Sequence, residues 1–124
     1  MTVTPEHYNR RSFVYRRLVA AGATFAEAVD TAVATAYPDS PTPALGLVDL
    51  SPLPRTGVRG PRALAWLGEQ AGWPVPEASN QSAATSDGAL VLRLSDGEAV
   101  ILPGIGSDGN AVRELHDSIP GAGA

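Results

Sequence analysis

The dipeptide Asp96-Gly97 lies between two apolar runs, residues 89–94 (Ala-Leu-Val-Leu-Arg-Leu) and 99–102 (Ala-Val-Ile-Leu), and it constrains the fold more than any other stretch. Asp-Gly between apolar runs is a strong short-range signal for a tight β-hairpin. The spacing predicts two antiparallel strands, with Gly97 at positive φ in the turn. A further strand is predicted over residues 55–59, and Gly60-Pro61 opens a helix, because proline at the first helical position lacks an amide that would have been unpaired there. That helix runs to Gly72, with Leu64, Ala65, Trp66 and Leu67 facing inward. Residues 45–50 form a candidate strand that breaks at Leu53-Pro54, and residues 73–86 read as a polar loop. Residues 103–109 form a glycine-rich turn, and residues 110–118 a last short helix with Val112, Leu115 and Ile119 on one side.

The N-terminal segment has a different pattern. Phe13, Val14, Leu18 and Ala21 are three or four residues apart, which predicts a helix ended by Gly22. Thr24-Phe25-Ala26-Glu27 matches a capping box, so a second helix is expected. Its apolar face would be Phe25, Ala28, Val29, Ala32, Val33 and Ala36, and Pro38 would stop it. The predicted organisation is a two-helix arm over residues 1–37, a stiff Pro-rich linker over 38–44, a main domain over 45–119 and a disordered tail over 120–124.

Composition excludes several kinds of chemistry. All nine basic residues are Arg, which removes Schiff-base chemistry and fits a GC-rich bacterial genome. Without Cys there is no disulfide, thiolate nucleophile or Cys-ligated metal. The formal charge of −4 gives no reason to expect nucleic acid or membrane as a partner. No apolar run approaches the ~20 residues that span a bilayer. The start, Met1-Thr2-Val3-Thr4-Pro5-Glu6, does not read as a signal peptide, so a cytoplasmic location is expected. With two Phe, two Trp and three Tyr in 124 residues, the core is thin and stands to gain stability from a partner chain.

Several residues could carry function. Arg10, Arg11, Arg16 and Arg17 would form a basic stripe on the first predicted helix, read either as a solvated face with carboxylate pairs or as a docking surface. With Phe13 and Trp66 they make the candidate partner-binding set. A DNA-reading role is disfavoured, since the chain is acidic and has no other basic patch. Gly104-Ile105-Gly106-Ser107-Asp108-Gly109 has the G-x-G-x-x-G spacing of a phosphate loop, but it follows a hairpin strand with no room for the next strand, so it reads as a plain turn. His7 and His116 have no metal-site spacing and no triad order. Asp49 is expected to hydrogen-bond local backbone amides before Pro52.

A wider pattern bears on function. Gly46-Leu47-Val48-Asp49-Leu50-Ser51, followed by Thr56-Gly57-Val58-Arg59-Gly60-Pro61-Arg62-Ala63-Leu64-Ala65-Trp66-Leu67, resembles the opening of the folate-binding aminomethyltransferase domain. The version it resembles is that of the gamma subunit of heterotetrameric sarcosine oxidase, and the T-protein of the glycine cleavage system carries a related one. Pro74-Val75-Pro76 running to Asn80, and Asp87 to Leu94, are similar to later gamma-subunit phrases. The resemblance spans residues 45–117 and covers the family's N-terminal half. Folate-active T-proteins carry a Gly-Gly-x-x-Asp-Asp type motif, whereas Gly88-Ala89-Leu90-Val91-Leu92 here has no carboxylate, so no catalytic residue is carried over.

The expectation is therefore a small α+β domain, a mostly antiparallel four-stranded sheet with flanking helices, preceded by the two-helix arm. The resemblance implies a non-catalytic accessory or structural subunit of a sarcosine-oxidase-like, folate-linked amine-oxidising complex. Tetrahydrofolate or flavin would belong to the complex, with no cofactor and no metal in the isolated chain. The rivals are a stand-alone folate-binding enzyme acting as a dimer and a helix-mediated protein-binding adaptor. A protein partner or a homo-oligomer is expected.

Overall fold

The computed structural model describes residues 2–28, 30–38, 46 and 48–121, and the chain divides into two compact units, Met1–Pro52 and Leu53–Ala124. The fold is α+β, with antiparallel sheets and short helices. No helix among the described residues is long and apolar enough to cross a membrane.

In the first unit, a 3₁₀ turn at Pro5–His7 precedes α1 (Tyr15–Ala20), and a hairpin of β1 (Thr24–Ala28) and β2 (Thr31–Ala36) follows. The two-helix arm is therefore not what forms. Its second helix is replaced by the hairpin, and its first is reduced to six residues. Alanine explains the misreading, because Ala26, Ala28, Ala32, Ala34 and Ala36 satisfy a helical or an alternating apolar pattern equally well. The β-branched residues settle the matter. Thr31, Val33 and Thr35 alternate along β2, where branched side chains suit a pleated strand better than a helix. Thr24 does not cap a helix; its hydroxyl pairs with the Thr35 hydroxyl (3.4 Å) and donates to the Ala36 carbonyl (3.5 Å) across the hairpin. Upstream, Arg10 is drawn into a parallel bridge with Thr31, and the Ser12 Oγ accepts the Val14 amide at 3.2 Å, which holds the chain out of a helix before Tyr15. Gly22 does end α1, at φ +74°.

The expected strand over residues 45–50 does not form at Gly46 or at 48–50, and Val48 is 74% exposed. Instead the Asp49 carboxylate accepts the Ser51 amide at 3.0 Å, the local role expected of it. Leu45, Leu47, Val29, most of the Pro-rich linker and the last three residues of the tail lie outside the described residues.

The second unit holds the sheet on which the candidate sites are built. Strands β3 (Thr56–Arg59), β4 (Gln81–Ala84), β5 (Leu90–Ser95) and β6 (Glu98–Leu102) pair antiparallel in the order β3-β6-β5-β4. The β5–β6 hairpin turns at Asp96-Gly97, as the sequence predicts, but neither residue takes positive φ. A Cβ on Gly97 would stand 3.1 Å from the Gly60 carbonyl oxygen, a close approach that favours glycine there. Strand β4 forms inside the expected loop. It is polar and largely exposed, so it has no apolar alternation to announce it, and Asn80 enters it at φ +63° with its amide on the Arg93 carbonyl (2.7 Å).

After Gly60-Pro61 comes α2 (Ala63–Ala65), which continues as a π-helical turn over Trp66–Gln70; α3 spans Asn110–Ser118. Both pack on the sheet face that carries Val58, Val91, Ala99 and Ile101. Leu67, Val112 and Leu115 complete the buried core, with Leu64, Trp66, Trp73 and Ile119 against it, whereas Ala65 faces out, contrary to expectation. Arg93 is on the same face near its margin. Its guanidinium donates to the carbonyls of Pro76 (3.0 Å) and Glu77 (2.8 Å) and pairs with Asp96 (3.0 Å), fastening the loop before β4 to the hairpin.

Candidate functional site

Strand alternation sends every second side chain to the opposite face of the four-stranded sheet. That face carries Leu90, Leu92 and Leu94 of β5 beside Val100 and Leu102 of β6, with Leu90 opposite Leu102 and Leu92 opposite Val100 in register. Both helices of the unit lie on the other side. Leu90 and Leu94 are 37% and 46% exposed, and Leu92, Val100 and Leu102 are half-buried. A contiguous group of large aliphatic side chains on one open face marks an interaction surface more than a scatter of single residues would.

The second feature is the edge strand β3. A cleft of about 490 Å³ runs between β3, α2 and the end of α3, with Trp66 and Ile119 as its apolar lining and Arg59, Arg62 and Glu69 as its charged groups. A hollow of about 580 Å³ continues around the strand at Gly57, whose missing side chain leaves the edge open, and reaches Arg55 and His116. His116 Nδ1 and Thr56 Oγ1 are 2.9 Å apart, tying α3 to β3. Among the described residues, the guanidiniums of Arg55, Arg59 and Arg62 have no hydrogen-bond or ion-pair partner, whereas those of Arg93 and Arg113 are engaged by carbonyls and side chains. A local signal was present in the spacing Arg55, Arg59, Arg62, but it had no meaning until β3 was known to be an edge.

The arginines singled out near the N-terminus all belong to the first unit, and Trp66 to the second. Of the four, only Arg16 and Arg17 lie on α1. Arg10 pairs with Asp30 at 3.4 Å. Arg11 and Arg16 flank the Tyr15 ring, their guanidinium carbons 5.1 and 5.6 Å from its centroid, and Arg16 also donates to the Tyr15 hydroxyl at 3.1 Å. Phe13 is fully exposed beside exposed Val14. Trp66 is half-buried against the core.

Groups with shifted protonation are structural in position. Burial raises the Asp49 pKa, but hydrogen bonds from Ser12 and Ser51 outweigh it and leave the carboxyl below its ordinary value. A hydrogen bond from the Thr85 hydroxyl holds the Asp87 carboxyl low. Burial and the neighbouring Glu27 carboxylate raise the Tyr8 phenol. In the glycine-rich segment, the Ser107 amide donates to the Gly104 carbonyl (3.1 Å), and the carboxylate of Asp108, the residue before the Gly109 N-cap, accepts the Asn110 amide at the start of α3 (2.9 Å). Among the described residues no group of three His, Cys, Asp or Glu could hold a metal ion.

Neither a protein-family model, nor a curated protein, nor a solved structure matches this chain.

Proposed function

We propose that this chain is a non-catalytic accessory or structural subunit of a cytoplasmic, sarcosine-oxidase-like, folate-linked amine-oxidising complex, held there by protein contacts. The observation that carries the reading is the open aliphatic face of the four-stranded sheet, Leu90, Leu92, Leu94, Val100 and Leu102. A face of that kind is stable when another chain covers it, as at a subunit interface. The resemblance supplies the partner's class, a flavin-bearing large chain. Two further observations support it. The phrase Val58 to Leu67 forms a strand, a Gly-Pro joint and a helix in the order the resemblance implies. The stretch 88–92, where T-proteins place a carboxylate, runs into β5 with aliphatic side chains.

The test is affinity isolation of the full chain from its native cells, with flavin absorbance and peptide identification of whatever accompanies it. A flavoprotein partner is expected, and its recovery should fall at least tenfold with the pair Leu90→Asp and Leu94→Asp. Recovery of the chain as a monomer at high micromolar concentration with no flavoprotein would overturn the reading. So would release of formaldehyde or methylene-folate by the isolated chain. Tight tetrahydrofolate binding by the isolated chain would favour the rival, a stand-alone dimeric enzyme.

A further inference from the structure

We infer that the outer edge of β3 is a peptide-binding groove, which takes an extended acidic segment of another protein as a fifth strand of the sheet. The site adjoins the aliphatic face invoked above, with Val100 common to both, but its test does not depend on that reading.

The backbone comes first. Among the described residues, strand β3 pairs with β6 on one side only, and it ends one row of the sheet. The Gly60 amide donates to the Gly97 carbonyl at 2.9 Å, so Gly60, Val58 and Thr56 direct their peptide groups at β6. By the alternation of an antiparallel ladder, Gly57 and Arg59 turn theirs outward. Two N–H and two C=O groups therefore face away from the sheet, the arrangement that an added strand satisfies.

Side-chain positions say what such a strand should look like. On the helix side of the edge is the 490 Å³ cleft, lined by Trp66 and Ile119, which suits an apolar side chain. By strand alternation Arg59 and Gly57 share the other face of β3; Arg55 lines the 580 Å³ hollow that opens at Gly57, and Arg59 lines the cleft. Arg62 adds a third guanidinium at the helix start. None of the three has an ion-pair partner among the described residues, and Glu69 is the only carboxylate in the lining of either hollow. Three uncommitted arginines along one edge of a chain with net charge −4 select a ligand of opposite sign. An extended peptide that alternates acidic and apolar residues meets both faces at once: its carboxylates reach Arg55 and Arg59, and its apolar side chains enter the cleft.

The probe is a fluorescein-labelled eight-residue peptide of alternating Glu and Val, titrated with the full chain by fluorescence anisotropy at low and high salt. Saturable binding is expected, weakened by salt and at least tenfold by the pair Arg59→Glu and Arg62→Glu. Both residues are exposed and unpartnered, so the variant should melt as the parent does. N-methylation of alternate peptide amides should also weaken binding tenfold in one of the two possible phases, because those amides carry the strand-to-strand bonds. Leu90→Asp should leave the affinity unchanged. Absence of binding, equal binding of the peptide with Glu and Val in two blocks, or indifference to N-methylation in both phases overturns the inference. Displacement by a phosphate polymer together with that indifference identifies a plain anion patch, which overturns it as well.

Discussion

Gly109 should be the least replaceable small residue of the C-terminal unit. It precedes α3 at φ +72°, and a Cβ built there would stand 2.3 Å from Pro54 Cγ and 2.9 Å from Pro54 Cδ. Two costs add in Gly109→Ala. Holding an L-residue in the left-handed region costs about 1–2 kcal/mol, and forcing a methyl into an occupied site costs about 1–3 kcal/mol. The Pro54 ring cannot rotate away, so the relief has to come from the backbone. A sum of about 2–5 kcal/mol is a large share of the ~4–11 kcal/mol expected for a unit of this size. Gly106 separates the two terms, since it has φ +90° but nothing within 4 Å of a built Cβ. Gly106→Ala should cost only the conformational part, about 1–2 kcal/mol. Adding Pro54→Ala to Gly109→Ala should recover about 1–3 kcal/mol, the overpacking share. Urea unfolding followed by tryptophan fluorescence reads this unit alone, because Trp66 and Trp73 both lie within it. Equal losses for Gly106→Ala and Gly109→Ala, or no recovery with Pro54→Ala, would refute the reasoning.

Two further substitutions test the packing elsewhere. Arg93→Met should cost about 2–4 kcal/mol, since a largely buried guanidinium loses charge-assisted bonds to the Pro76 and Glu77 carbonyls; urea melts should show it, with faster amide exchange around Asn80, and a loss under about 0.5 kcal/mol would mean that the loop is held by something else. For Asp49, the depressed native pKa means its contribution is present above the unfolded value and is lost as pH falls through the native one. The first unit should therefore weaken from about pH 5 downward, and Asp49→Asn should flatten that slope; a Ser51 amide shift that titrates at or above an ordinary carboxylate value would contradict it.

The C-terminal half was largely legible in the sequence, and the reason is local chemistry. Asp96-Gly97 between apolar runs, Gly60-Pro61 before Leu64 and Leu67, and the spacing of Val112, Leu115 and Ile119 each specify an element without help from distant residues. Strand β4 was not legible, because an exposed polar edge strand is specified by its neighbour β5 and by the Arg93 clamp rather than by its own pattern. The N-terminal segment was misread for a different reason: alanine fits both periods, and the β-branched Thr31, Val33 and Thr35 favour the hairpin, which is joined by the cross-strand Thr24–Thr35 contact and the Arg10–Thr31 bridge.

The candidate sites divide in the same way. Sequence alone determined that the permanently charged basic side chains are guanidiniums, that no thiol or lysine amine is present, and that residues 88–92 carry no carboxylate. Tertiary structure decided which arginines are committed and which are free to bind. Strand order made β3 an edge and left Arg55, Arg59 and Arg62 along it, while Arg10 and Arg93 were taken up by Asp30 and by loop carbonyls. Placing both helices on one side of the sheet likewise left five aliphatic side chains of the two apolar runs on an open face. A residue's chemistry is set by its type; its availability is set by what the fold packs against it.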